Sequence, residues 1–246
     1  MSGHSKWSTI KHRKGAKDAK RGQLFAKLAR AIEVAARQGG GDPAANTSLA
    51  QAIDKARSAS VPNDNIERAI KRGTGETEGV EYEEVYYEGY APGGVALYVQ
   101  VLTDNRNRAG SAVRSVFSRH SCSLGEPGSV AYLFEQKGHI LAVGDEDGVI
   151  LAGLEGGAED IRPSGDQWEV ITEPGDLRGV REALEAAEIE VDTAEVTQIP
   201  TSSVPVDEAK APKVLRLIDA LEELDDVQSV YANFDISDEV LAKAAG

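Results

Sequence analysis

The polar, glycine-rich run Gly73 to Gly79 (GTGETEG) divides the chain into two parts that differ in both periodicity and charge. Before it, apolar residues recur at helical spacing. Beyond it, strand-like alternation and helical stretches take turns, a pattern of α/β type. Residues 1–75 contain 15 Lys and Arg against 6 Asp and Glu, and the remaining residues hold 12 against 35. The net charge of −14 therefore hides a +9 segment and a −23 remainder. A segregated basic module is the electrostatic footprint of a phosphate-binding surface.

The first part reads as a basic arm and three helices. The arm, Met1 to Arg21, carries Lys6, Lys11, Arg13, Lys14, Lys17, Lys20 and Arg21 against one acid, Asp18. From Gln23 a helical face forms from Leu24, Leu28, Ile32 and Ala35, flanked by Phe25 and Ala31, with Lys27, Arg30 and Arg37 on the other side. Gly39-Gly40-Gly41 stops this helix. A second follows Asp42-Pro43, with Leu49, Ala52, Ile53 and Ala56 on one stripe, and Val61-Pro62-Asn63 breaks it. Asp64 and Glu67 suggest a capping-box start for a third, which buries Ile66 and Ile70 and ends at Gly73 after Lys71 and Arg72. One narrow apolar stripe per helix must be buried against the others or against the rest of the chain.

The second part predicts strands over 82–90 and 95–102 around Ala91-Pro92-Gly93-Gly94, then a helix over 105–120. Val130 to Phe134 and His139 to Val143 predict two strands on either side of Lys137-Gly138. A short helix over 149–154, an edge strand at Ile161, a strand over 167–172, a helix over 177–187 and a strand over 189–199 follow. A helix over 207–224 and a strand over 227–236 close the chain. This order gives two β-α-β-type units of mixed sheet. The last strand needs a sheet; the two strands before Asn105 are a plausible partner, which would make the middle segment an insertion, and the pattern leaves that pairing open.

The arm is the strongest chemical constellation. Closely spaced cations with Trp7, His4 and His12 interleaved suit phosphate contacts plus stacking, and the competing reading is a solvated tail. Arg106 and Arg108 fall at a helix N-terminus, where free N–H groups attract anions; pairing with nearby carboxylates is the alternative. The candidate nucleic-acid-binding residues are therefore Lys6, Trp7, Lys11, His12, Arg13, Lys14, Lys17, Lys20, Arg21, Lys27, Arg106 and Arg108. No helix-turn-helix, zinc module, RNP-type aromatic pair or GXXG clamp is visible in the pattern.

Enzymatic signals are weak. Gly73, Gly75 and Gly79 lack the Lys-Ser/Thr of a phosphate loop, so they read as a linker. Asp145-Glu146-Asp147 opens like a calcium loop, yet Ile150 and Gly156 stand where glycine and glutamate are needed, so a surface turn is expected. The four histidines lack ligand spacing, and the single Cys122 excludes an internal disulfide and fits a reducing cytoplasm. The charged N-terminus lacks a signal-peptide core, and Gly148 to Leu154 is too short to span a bilayer. No catalytic residue, cofactor, metal, membrane or small-molecule substrate is expected.

Long motifs then carry a resemblance across essentially the whole chain. Gly3-His4-Ser5-Lys6-Trp7, Ile10-Lys11-His12-Arg13-Lys14, Asp18-Ala19-Lys20-Arg21-Gly22, Gly39-Gly40-Gly41-Asp42-Pro43 and Asn65 to Gly73 (NIERAIKRG) are similar to the YebC/PmpR family. So are Tyr87-Glu88-Gly89-Tyr90, Pro92-Gly93-Gly94, Leu102 to Arg108 (LTDNRNR), Leu124 to Val130 (LGEPGSV) and Asn233-Phe234. The chain departs from the family pattern at Ser121-Cys122-Ser123, where Gly-Gly-Asn is usual, and at Ala109, where Thr is usual. The resemblance implies three domains of α/β (α+β) type: a three-helix domain over 1–76, an α/β domain over 77–131 plus 200–246, and an inserted α/β domain over 132–199. It also implies a cytoplasmic, non-enzymatic regulator that binds DNA. The alternative it implies is a ribosome-associated factor that binds ribosomal RNA and relieves stalling on proline-rich nascent chains, in line with family members that act on translation, the mitochondrial translational activator of cytochrome c oxidase among them.

Overall fold

The computed structural model describes residues 18–237 and Val240, with side chains from Arg21 onward. Among the described residues three helices come first: α1 (Asp18–Gly39), α2 (Thr47–Ser58) and α3 (Asn63–Gly73). The start of α1 lies well before Gln23, because the apolar stripe marks where a helix is buried and not where it begins. Leu28, Ile32, Ala35 and Ala36 of α1 meet Leu49, Ile53 and Ala56 of α2 and Ile66 and Ala69 of α3, with Val61 closing the cluster. Asn46 is the true cap of α2: its Oδ1 accepts from Leu49 N at 3.1 Å, while its Nδ2 donates to the carbonyls of Ala35 and Gly40, both at 2.8 Å. One buried amide thus satisfies orphan groups at the end of α1 and the start of α2. The expected capping box on α3 does not form; Pro62 precedes the helix, and no side chain caps it. Gly73 is there for close approach, since a Cβ would sit 2.7 Å from that of Ala36.

The chain beyond is built on two four-stranded antiparallel sheets, an α/β fold of the α+β kind. The first joins β1 (Glu83–Ala91), β2 (Val95–Thr103), β3 (Ser123–Leu124) and β9 (Val227–Ala232) in the order β3-β1-β2-β9. Helices α4 (Arg106–Arg119) and α7 (Ala211–Glu222) bury Val113, Val116, Phe117, Val214, Leu217, Ile218 and Leu221 with the odd-numbered residues Val95 to Val101 of β2. The helix expected over 207–224 begins only at Ala211, because the Asp207 carboxylate accepts from Lys210 N at 2.9 Å and holds the preceding residues in a turn. The last strand is likewise shorter than expected. It stops at Asn233, whose buried Oδ1 accepts from Ala96 N at 2.8 Å, and the chain then pairs β10 (Phe234–Asp235) in parallel with β8 (Val204–Pro205).

Residues 134–201 form a separate compact unit, and the described residues up to Leu133 together with those from Ser202 form the other. The separate unit runs β4 (Phe134–Val143), α5 (Glu146–Gly156), β5 (Asp160–Ser164), β6 (Gln167–Thr172), α6 (Leu177–Ala186) and β7 (Glu190–Pro200). Its order β5-β6-β4-β7 is that of a ferredoxin-like β-α-β-β-α-β unit. The two strands expected around Lys137-Gly138 are one continuous strand, preceded by a short 3₁₀ turn at Ala131–Leu133. Gly138 marks contact and not a bend: opposite Thr172 in the ladder, it leaves no room for a Cβ beside the Thr172 hydroxyl and Leu177. The acidic triplet expected to be a surface turn opens α5 instead, with Asp145 Oδ1 accepting from Gly148 N at 2.9 Å.

Candidate nucleic-acid interface

Helical geometry gives α1 three working faces. The buried one has been described. Gln23, Lys27 and Arg30 lie at i, i+4 and i+7 and form a second stripe. Gln23 Nε2 donates to the Glu223 carbonyl at 2.7 Å and to Asp225 Oδ1 at 2.8 Å, and Lys27 Nζ donates to the Glu222 carbonyl at 2.5 Å. The Arg30 guanidinium donates to the carbonyls of Leu102 (3.0 Å) and Asp225 (2.9 Å), reaches Asp226 Oδ1 at 3.2 Å and lies 5.0 Å from the centre of the Tyr82 ring. This stripe clamps α1 to the loop between α7 and β9. Lys27, a sequence candidate for phosphate contact, is a member of that clamp.

The third face borders a groove of about 240 Å³ between α1 and α3. Phe25, Ala26 and Ala29 form one wall, and Asn65, Arg68 and Arg72 form the other. The i, i+3 and i+7 spacing of the second set places its members on a single stripe of α3. Asn65 Oδ1 accepts from Arg68 at 2.7 Å and the Asp64 carbonyl accepts from Arg68 Nε at 3.1 Å, which fixes the guanidinium plane. Arg21 lies over the Phe25 ring, 5.2 Å from its centre. Among the described residues neither Arg21 nor Arg68 is in an ion pair with a carboxylate. Arg72 does have such a partner. It meets Glu33 at 3.3 Å, and Arg37 reaches the same buried carboxylate at 3.5 Å, so two guanidinium groups share one negative charge. The groove is net positive with one apolar wall.

Of the sequence candidates, Lys6, Trp7, Lys11, His12, Arg13, Lys14 and Lys17 lie outside the described residues, and Lys20 is described only as backbone in the first turn of α1. Arg106 is exposed at the start of α4, and its carbonyl accepts from the Tyr87 hydroxyl at 3.2 Å. Arg108 is bound by acids: its Nη2 is 2.6 Å from Asp104 and 2.9 Å from Asp226. Those hydrogen bonds hold the Arg108 guanidinium above its ordinary pKa and the Asp104 carboxyl below its own. The structure therefore brings Arg108 to Arg30, through Asp226, and not to Arg21. Phe25, Asn65, Arg68 and Arg72 were missed as a group. Their i, i+3 and i+4 spacings were available as a signal, but which stripe of α1 faces which stripe of α3 is a tertiary fact.

A further feature was hidden by strand register. Tyr86, Tyr98 and Tyr231 come from three neighbouring strands and share the sheet face turned away from α4 and α7. The first two rings stack with centroids 4.6 Å apart, and the last two are 6.4 Å apart. Burial and the neighbouring Glu84 push the Tyr86 phenol well above its ordinary pKa. Glu84 also accepts from Gln100 at 2.6 Å, and Glu88 lies on the same face, so this aromatic row is bordered by carboxylates, which repel phosphate. Elsewhere, burial pushes the Cys122 thiol up, away from thiolate reactivity. His139 and Glu169 form a buried 2.8 Å pair in the unit of residues 134–201. Among the described residues no group of three or more His, Cys, Asp or Glu could hold a metal, and no helix is long and apolar enough to cross a membrane.

A basic three-helix module followed by acidic α/β structure on two antiparallel sheets defines the class to which this protein conforms. The chain belongs to the TACO1/YebC family: residues 5–76 match the model of its N-terminal domain and residues 82–234 that of its second and third domains. A "probable transcriptional regulatory protein" of Rubrobacter xylanophilus is 61% identical over 100% of both chains. One of the same name from Acidothermus cellulolyticus is 58% identical over 99% of this chain and 100% of its own. The crystal structure of a conserved hypothetical protein from Aquifex aeolicus, 50% identical, superposes with a TM-score of 0.81 over 91% of this chain and 94% of that one. At the level of the family, these names describe regulators.

Proposed function

We propose that this protein is a non-enzymatic regulator that binds nucleic acid through the basic module of residues 1–76 and acts in transcription. The observation that carries the reading is the charge segregation, 15 cations against 6 anions in residues 1–75 of a chain whose net charge is −14. The names of the relatives support the regulatory role, and the positive α1–α3 groove supports the module as the binding element. The acidic remainder repels the same polyanion and so restricts which face docks. Arg106 adds a cation at an exposed helix start, whereas Lys27 and Arg108 contribute to binding only if their present partners give way.

Salt tests the reading. Each cation that neutralises a phosphate releases counterions, so log K falls with log salt by about 0.9 per contact on duplex DNA. The arm offers seven Lys and Arg over residues 1–21. If about five engage at once, a slope of roughly −4 to −5 is expected. Replacing Lys11, Arg13 and Lys14 with Ala should flatten it by about 2 to 3 units. An affinity that barely responds to salt, or a triple variant with an unchanged slope, refutes the arm as the phosphate-binding element. A second reading, structured RNA at the ribosome, is supported by the mixed aromatic and cationic lining of the α1–α3 groove, which suits bases that lie outside a stack.

A further inference from the structure

We infer that the α1–α3 groove is a pocket for an unpaired nucleobase and its flanking phosphate, so that the protein's target is a strand with unstacked nucleotides and not a uniform duplex. This rests on the nucleic-acid reading above and names the substrate class for the same module.

The two walls of the groove differ in kind. On α1, Ala26 and Ala29 are too small to fill the space before them, and Phe25 presents a ring beside them, half-buried against the helical core. Small side chains next to an aromatic give a smooth apolar surface on which a flat ring can lie. On α3, Arg68 and Arg72 are one turn apart, and guanidinium planes stack on bases as aromatic rings do. Asn65 adds an amide at the end of the same stripe, able to donate and accept at a base edge. The opening therefore combines stacking surface, cation and amide within about 240 Å³.

Charge selects the occupant. Arg68 and Arg72 line the opening, Arg21 lies over its Phe25 wall, and Arg72 shares the buried Glu33 carboxylate with Arg37, so the groove carries surplus positive charge that suits a phosphate beside an inserted base. A purely apolar ligand would leave these cations unused. An acidic peptide would find cations but would leave the Phe25 and alanine wall without a flat partner. A duplex holds its bases in the stack, where this recess cannot reach them, and insertion would first have to unstack one. Single strands and loops present bases already free. The cover of Arg21 on Phe25 fits the same reading, because that exposed guanidinium can yield the ring to a base and move to a phosphate.

The test uses the full chain and fluorescent 2-aminopurine placed in the loop of an RNA hairpin, in the stem of the same hairpin, or in a single-stranded DNA. Quenching of the loop and single-strand probes with an unchanged stem probe is expected. Phe25→Leu keeps apolar volume but removes the stacking ring, and Arg68→Gln alters an exposed residue without touching the core. Each should weaken binding to the unpaired probes about 10-fold; Phe25→Leu should leave the salt slope in place, whereas Arg68→Gln should flatten it by about 0.7 on a single strand. The ratio of RNA to DNA affinity identifies the natural source of the base. Equal binding of stem and loop without quenching, or two variants that bind like the parent, overturns the groove assignment while salt-dependent binding still upholds the broader function. Loss of all nucleic-acid binding in the parent protein overturns both.

Discussion

Glu88 offers the most direct test of how the second core is held. Its carboxylate is buried on β1 and takes three backbone donors from the loop after β3: Gly128 N at 2.6 Å on Oε1, and Val130 N at 2.7 Å and Ala131 N at 2.8 Å on Oε2. Gly125 N adds a bond to the Glu88 carbonyl at 2.8 Å, so one residue organises the whole turn. Burial pushes this carboxyl up, but the three N–H donors outweigh it and leave the pKa below its ordinary value. Hydrogen bonds to a charged group are worth about 1.5–3 kcal/mol each, and desolvation of the carboxylate returns part of the sum. In Glu88→Gln an amide oxygen can serve one side, but the NH₂ then faces a backbone N–H, donor against donor. A loss of about 3 kcal/mol is expected from two weakened bonds and one unmade. At roughly 2–4 °C per kcal/mol, the Tm should fall by about 6–12 °C. Amide exchange at Gly128, Val130 and Ala131 should accelerate. The sign with pH follows from the lowered pKa. The stabilisation is complete above the unfolded value, about 4.3, and is lost as pH falls through the folded value. The gap between parent and variant should therefore narrow below about pH 4. A variant as stable as the parent at pH 7, or a gap that stays constant into acid, would refute the carboxylate as the organiser of the loop.

Two further substitutions probe other joints. Gly138→Ala should cost about 1–3 kcal/mol by overpacking against Thr172 and Leu177, read as a lower urea midpoint; an unchanged midpoint would mean that the β4–β6 contact relaxes freely. Arg30→Ala removes the centre of the α1 clamp, and limited proteolysis should then release the helical module sooner; an unaltered digestion pattern would show that Gln23 and Lys27 suffice.

The cores were legible in the sequence because burial leaves a periodic trace. Leu28, Ile32, Leu49, Ile53 and Ile66, chosen by spacing, are all in the first core. What spacing could not convey is why a breaker-like residue is present. Gly138 and Gly73 resemble stops, but Gly73 lets two helices approach closely and Gly138 makes room for the Thr172 and Leu177 side chains, and only the partner across the gap reveals that. Asn46 and Asn233 are polar residues in loop-like contexts, and their buried hydrogen bonds lie with groups remote in sequence. The candidate site was legible as charge and not as geometry. Spacing placed Lys27 and Arg30 away from the helical core, where they meet the loop after α7, and a composition count cannot tell that destination from solvent.

The pairing of β2 with β9 has a consequence for the order in which the protein is made. Ala96 and Asn233 bond across 137 positions of sequence. During vectorial synthesis the β1–β2 hairpin emerges long before the strand that covers its open side, and it must wait with a bare edge of unpaired amides. Residues 134–201 close on themselves in the interval, which shortens the effective loop that the late strand must span. The helical module, whose contacts are local, can form first. Its clamp cannot, because the loop it grips follows Gln23 by 200 positions of sequence. The nascent chain therefore carries a finished helical module with no dock until the loop after α7 has emerged.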